Sequence, residues 1–201
     1  MLKSALSVFM LFTACGYTQN ADSILKSVQG KFNNINDLSA DFARYSGGSE
    51  KISGKLFYKK ENKLRLELKN STIVSDGETN WNYSKSGNKV VISEFDDSDP
   101  SALSLQKILY KYPSECKISS EPAGENQVLV LVPEKSSELN FNQVKITVNK
   151  EYLIEKILID DPNSGVFEIA LSNYKLNRNI PDNKFTFSPP EGSKVIDLRA
   201  E

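Results

Sequence analysis

Apolar and polar residues alternate with a period of two along most of this chain, and turn-forming residues interrupt the alternation at short, even intervals. Eleven segments carry the pattern: 38–45, 52–59, 63–69, 72–75, 79–84 and 89–95, then 116–120, 127–132, 143–148, 153–160 and 166–176. Gly47-Gly48, Glu61-Asn62, Asn70-Ser71, Asp76-Gly77 and Ser86-Gly87-Asn88 divide the first six, and residues 121–126 and 160–165 supply turns in the second group. Breaks this short predict antiparallel neighbours, because a parallel crossover needs about a dozen residues or more. Asp76-Gly77 is the dipeptide of a tight two-residue hairpin turn.

Two stretches change to a helical period. Ile24, Leu25, Val28 and Phe32 predict an amphipathic helix over 21–34, with Asp22 or Ser23 at its cap. A second helix is expected over 100–110, after an acidic loop at 94–99, with Asp99 as cap and Pro100 in its first turn. Its apolar residues, Leu103, Leu105, Ile108 and Leu109, spread around more of the circumference than one buried stripe requires.

Two helices are too few to cover a whole face of an eleven-stranded sheet. Such a sheet pairs with a second sheet, closes into a barrel, or curls beneath helices laid across its mouth. The last arrangement leaves a groove lined by alternate residues of each strand. Leu64, Leu66 and Leu68 share one strand face, as do Trp81 with Tyr83 and Val90 with Ile92. An apolar groove of this kind suits an acyl chain, which needs area and few polar contacts. The same residues also suit ordinary core packing.

Composition narrows the function. With 39% hydrophobic residues, 25% charged residues and a net charge of −1, the chain offers no electrostatic case for nucleic acid or an anionic membrane surface. It contains no histidine, so the commonest general base and the commonest metal ligand are both missing. The acidic loop lacks the bend glycine and closing glutamate of a calcium loop. Cys116 has no histidine to activate it and reads as a small apolar strand residue. No catalytic centre, metal or cofactor is expected, and no apolar run reaches the ~18 residues of a membrane-spanning helix.

The N-terminus departs from this pattern. Lys3 precedes an apolar run from Ala5 to Ala14, the layout of a secretory signal, which assigns 1–20 to a signal peptide and 21–201 to one domain. Two readings of its end remain. FTACG at 12–16 is similar to a lipobox, with Cys15 as the candidate lipidation site, although Phe12 departs from the usual Leu, Val or Ile. Ordinary cleavage after Gly16 gives a soluble product instead.

GKLFYKKENKLRLE at 54–67, VSDGETNWNY at 74–83 and FTFSPPEG at 185–192 together resemble the LolA family of periplasmic lipoprotein carriers, and LSADF at 38–42 resembles that family's first strand. The resemblance implies a mainly β fold with a few helices, an unclosed antiparallel β half-barrel of about eleven strands under a helical lid. It implies a periplasmic carrier that takes acylated lipoproteins from an inner-membrane ABC transporter to an outer-membrane acceptor, and a groove that needs an open mouth predicts a monomer. The acyl-chain groove would be lined by Phe42, Leu64, Leu66, Trp81, Tyr83, Val90 and Ile92, with Leu103, Leu105, Ile108 and Leu109 on the lid. Lys60-Glu61 stands where the family often has Arg-Pro, so Lys60 is the expected lid contact, with a point charge in place of the guanidinium fork. If Cys15 is lipidated, the same fold would serve as an anchored acceptor or envelope sensor.

Overall fold

The computed structural model describes residues 21–95 and 105–199. The signal segment with Cys15, the cap residues Asp99 and Pro100, and Leu103 lie outside them. Helix α1 (Ala21–Asn33) is followed by six strands, β1 (Asp37–Ser46), β2 (Ser49–Lys59), β3 (Lys63–Leu68), β4 (Ser71–Ser75), β5 (Thr79–Ser84) and β6 (Lys89–Glu94). A lid segment enters the description at Leu105. It contains a π-helical turn, Lys107–Lys111, that runs into a single α-turn, Tyr112–Ser114. Five more strands follow, β7 (Cys116–Ala123), β8 (Asn126–Pro133), β9 (Gln143–Val148), β10 (Ile154–Asp161) and β11 (Gly165–Leu176), and β12 (Lys194–Asp197) comes last.

All strands join one open sheet in the order β12-β6-β5-β4-β3-β2-β1-β11-β10-β9-β8-β7. Each of the two groups is a simple meander, and the antiparallel pairing of β1 with β11 stitches them together. The eleven expected strands are present with ends moved by a few residues. The twelfth, β12, pairs with β6 in parallel over four residues, too short for a periodic signal. Register slips by one residue between Ser39 and Asp41, between Arg44 and Tyr45, and between Ile154 and Lys156. Such bulges sharpen the twist and bend of a sheet, here around β1 and β10.

Layers form on both faces. The inner face carries α1, which buries Ile24, Leu25, Val28 and Phe32, together with the lid residues Leu105, Ile108 and Leu109. The chain after β11 crosses the outer face as a strap. Asp37, itself buried, starts it by accepting hydrogen bonds from the Arg178 and Asn179 amides at 2.8 and 3.1 Å. Lys59 and Lys63 reach the Asp182 carboxylate at 3.0 and 3.1 Å. Lys184 pairs with Glu67 at 2.8 Å and lies 4.1 Å from the centre of the Phe57 ring. Phe185 is fully buried, Phe187 meets Tyr83 with ring centres 5.6 Å apart, and the strap ends as β12 on the edge of β6.

Two glycines are required by this packing. A Cβ at Gly54 would lie 1.9 Å from the Glu67 carbonyl oxygen on the neighbouring strand. Gly77 has φ +101° and would place a Cβ 2.3 Å from the Glu61 carbonyl oxygen, so the β4–β5 turn rests on the β2–β3 turn. The β4–β5 loop is longer than the two residues expected, covering 76–78. The Asp76 carboxylate accepts from the amides of Glu78 and Thr79 at 2.9 and 2.8 Å, closing it as a side-chain turn.

A candidate acyl-binding face

Residues paired across neighbouring strands point to the same side of a sheet. The registers therefore assign every strand residue to one face. On the inner face one row runs Leu129, Ile146, Ile157, Ile169, Arg44, Ile52 from β8 to β2. A second runs Leu171, Phe42, Gly54, Leu68, and a third Leu176, Leu38, Tyr58, Leu64, Ser75. Leu56, Leu66 and Ile73 form a fourth, which continues into Asn82 on β5. The apolar floor thus extends from β8 to β4 and turns polar at β5, where Asn80, Asn82 and Ser84 alternate inward.

Phe42, Leu64 and Leu66 stand on this floor, with Phe42 and Leu66 buried in the main core and Leu64 half-buried against it. Trp81, Tyr83, Val90 and Ile92 do not join them. The chain of pairs Arg65–Val74–Trp81–Ile92 and Glu67–Thr72–Tyr83–Val90 puts all four on the outer face, under the strap. Val74, Val90, Ile92 and Phe185 are buried there, outside the main core cluster. Period-two alternation groups residues within a strand, but register through two hairpins decides which side a group faces. Sequence reasoning missed Ile73, Ile169, Leu171, Phe167 and Arg44 on the inner face. Counting residue for residue through the β3–β4 turn from Leu66 to Ile73 would have found the first.

The lid residues Leu105, Ile108 and Leu109 are buried against α1 and the inner face. Polar ties to α1 hold the segment: Gln29 Nε2 donates to the Leu109 carbonyl at 2.7 Å, and the Tyr110 hydroxyl donates to Asn33 Oδ1 at 2.6 Å. Among the described residues Lys60 takes no such part. Its amide donates to the Asn36 carbonyl at 2.9 Å, its side chain is exposed, and among the described residues its ammonium has no polar partner. Between α1, the lid and the starts of β1 and β10 a crevice of about 20 Å³ remains, lined by Phe32, Leu38, Leu105, Leu109, Leu153 and Tyr174. That is far below the ~300–1,000 Å³ of ligand pockets. The covered half of the floor admits a chain only when lid and α1 move apart. The half beyond them, with Leu64, Leu68, Ile73, Ile52 and Phe167, is half-buried or exposed.

β10 and β11 part at one end. They pair from Asp161–Gly165 to Lys156–Ala170 and then separate around an open cleft of about 500 Å³ between Leu153, Glu155 and residues 170–176. The Tyr174 hydroxyl spans the gap and donates to the Ile154 carbonyl at 2.5 Å. Burial, with the Glu155 charge in second place, pushes this phenol far above its ordinary value, so it stays a donor at any physiological pH. The Cys116 thiol is buried and pushed up to about 11, first by burial and then by Glu115 and Glu134, which leaves it un-ionised and unreactive near neutrality.

The sequence model of the family described as outer membrane lipoprotein carrier protein LolA matches residues 33–188, which takes in the inner face from β1 to β11 and the strap as far as Phe187. The chain belongs to the LolA family. Outer-membrane lipoprotein carrier protein of Legionella pneumophila strain Corby is 24% identical over 98% of this chain and 99% of its own. An uncharacterized protein of Methanocaldococcus jannaschii is 29% identical over the whole chain, which spans 61% of that protein's length. Among solved structures, an uncharacterized conserved protein from Thermus thermophilus has the same fold, with a TM-score of 0.58 at 15% identity over 88% of this chain and 98% of the other. As the resemblance implies, the sheet is left open, and α1 and the described lid residues lie on its inner side. Among the described residues no helix is long and apolar enough to cross a membrane.

Proposed function

We propose that this LolA-family chain is a non-enzymatic periplasmic carrier that shields the acyl chains of lipoproteins on the inner face of its sheet. It would receive them from an inner-membrane ABC transporter and deliver them to an outer-membrane acceptor. The observation that carries the reading is the apolar floor running from β8 to β4, covered on one side by a lid tied to α1 through two side-chain hydrogen bonds. The residues proposed for the acyl site are Phe42, Leu64 and Leu66, extended by Leu68 and Ile73. Trp81, Tyr83, Val90 and Ile92 are left to the outer face.

The need for such a face follows from solvation. Each methylene in water costs ~0.8 kcal/mol, so one ~C16 chain carries on the order of 12 kcal/mol. A carrier must also release its load. Here a vacant groove is closed by its own lid residues, so Leu105, Ile108 and Leu109 compete with the cargo for the same floor and hold its affinity down. Purified protein added to spheroplasts of the source organism should draw newly made lipoproteins into the soluble fraction as a complex. Lipoproteins that remain wholly membrane-bound would overturn the carrier role.

A further inference from the structure

One inner-face row holds an oddity. Leu129, Ile146 and Ile157 are fully buried, Ile169 is 7% exposed and Ile52 is 37% exposed, so the helical cover ends within this row. Arg44 stands at that lip, the single charge in a line of branched aliphatics. It is half-buried, and its guanidinium lies 4.4 Å from the centre of the Phe167 ring. An aromatic ring offsets part of the charge but supplies no lone pair. Among the described residues no carboxylate or carbonyl accepts from the five N–H donors of Arg44, and its charge faces the Phe167 ring. Lys55, Lys63, Arg65, Lys145 and Lys156 point to the outer face and pair with carboxylates there, and Lys89, which shares the inner side, stands on β6 beyond the apolar floor.

We propose that Arg44 is the headgroup-binding residue of the inner face, receiving the anionic oxygens of a carboxylate or phosphate at the end of an acyl chain. This rests on the acyl-binding reading above and goes beyond lipoproteins, whose acyl chains end in uncharged ester and amide links, to amphiphiles with an anionic head. Leu38 and Arg44 are six residues apart on β1, about 20 Å along the strand. The chain would lie over Phe42 and toward the crevice at Leu38, with its head held at the open lip, where Phe167 and Ile52 flank the guanidinium. Arginine suits the task because its planar fork binds two oxygens at once and is more weakly hydrated than an ammonium.

The test is displacement of a neutral naphthylamine probe by palmitate, hexadecyl phosphate and hexadecanol, which share chain length and differ in head. Wild-type protein should prefer the two anions to the alcohol by about tenfold, the worth of one charge-assisted hydrogen bond. Arg44→Met, which keeps the stem packed on the floor, should erase the preference while hexadecanol binds as before. Arg44→Lys should restore part of it. Palmitate favoured over hexadecyl phosphate assigns a fatty carboxylate as the fitting head, and the reverse order a lipid phosphate; either supports the site. An anion preference that survives Arg44→Met, or equal binding of all three by wild type, overturns this inference and leaves the acyl groove standing. If none of the three displaces the probe, groove and headgroup site fall together.

Discussion

Leu64→Glu separates a face built to receive a ligand from a packed core. Leu64 is half-buried between Tyr58 and Ser75, where the inner face is open. Half of a leucine's transfer energy, roughly 1–1.5 kcal/mol, is lost in the variant, and the new carboxylate still reaches water. That is a fraction of the ~5–15 kcal/mol that holds a domain folded. An acyl chain laid over the same position must strip water from an unpaired carboxylate. Even a neutral polar group costs at least ~2 kcal/mol to bury unpaired, so acyl affinity should fall by at least about thirtyfold. Folding can be read independently through Trp81, the only tryptophan, because it sits on the outer face, across the sheet from Leu64. A urea melt followed at Trp81 should remain cooperative with a slightly lower midpoint, while a displacement titration shows acyl binding lost. Leu56→Glu is the counterpart, since Leu56 is fully buried on the same face and its variant should unfold. Collapse of the Leu64→Glu melt, or acyl affinity left unchanged, refutes the assignment of this position to the groove.

Three further outcomes follow from the packing. Gly54→Ala forces a methyl to within 1.9 Å of the Glu67 carbonyl oxygen, all of it backbone that must shift, and should lower stability by about 1–3 kcal/mol in a urea melt; a variant as stable as wild type would show that β2 and β3 are less tightly apposed. Burial works to raise the Glu67 carboxyl, but hydrogen bonds from Lys184 and Arg65 outweigh it and hold it below its ordinary 4.5. Its contribution is thus complete above that value and lost as pH falls through the lower folded value, so the urea midpoint of wild type should drop more steeply than that of Glu67→Gln between about pH 5 and 3. Parallel curves would deny Glu67 a role in fastening the strap. Tyr174→Phe leaves the Ile154 carbonyl without its donor, which should cost about 1–3 kcal/mol and speed amide exchange around residues 153–156; unchanged exchange there would mean that the hydroxyl does not close the seam.

Much of the fold is legible because its signals are local. Turn residues at Gly47-Gly48, Glu61-Asn62 and Asn88 take left-handed backbone, and alternation between them marks the strands. The lid was harder. Its helix continues past Tyr110 through Pro113, and the Leu109 carbonyl, which a proline cannot serve, accepts from Gln29 Nε2 instead. The site was legible only in part, for a reason of register. Trp81 and Tyr83 look like a groove by size and alternation, but they face outward once Leu66 pairs with Ile73 and Ile73 with Asn82. What packs on Tyr83 is Phe187, about a hundred residues later, and no local pattern announces that contact. Arg44 was hidden by the opposite effect, since a charge in an alternating strand reads as solvent-facing until its cross-strand neighbours are known.

Register also shows that many of the residues carrying the family resemblance serve the packed outer layer rather than the floor. Phe57, Arg65, Glu67, Val74, Trp81 and Tyr83 all lie on the outer face, and the strap residues Lys184, Phe185 and Phe187 come down onto that face. Gly77 adds the close approach of one motif's turn to the other's. These stretches form one packed layer, so a change in any of them disturbs the others. The inner face has no such interlock beyond the helices, since Ile52, Ile73, Phe167 and Arg44 stand at the open part of the floor, where a substitution meets solvent or ligand before it meets core. Cargo preference should follow the residues at the lip, Arg44 first among them, while the fold stays with the outer layer.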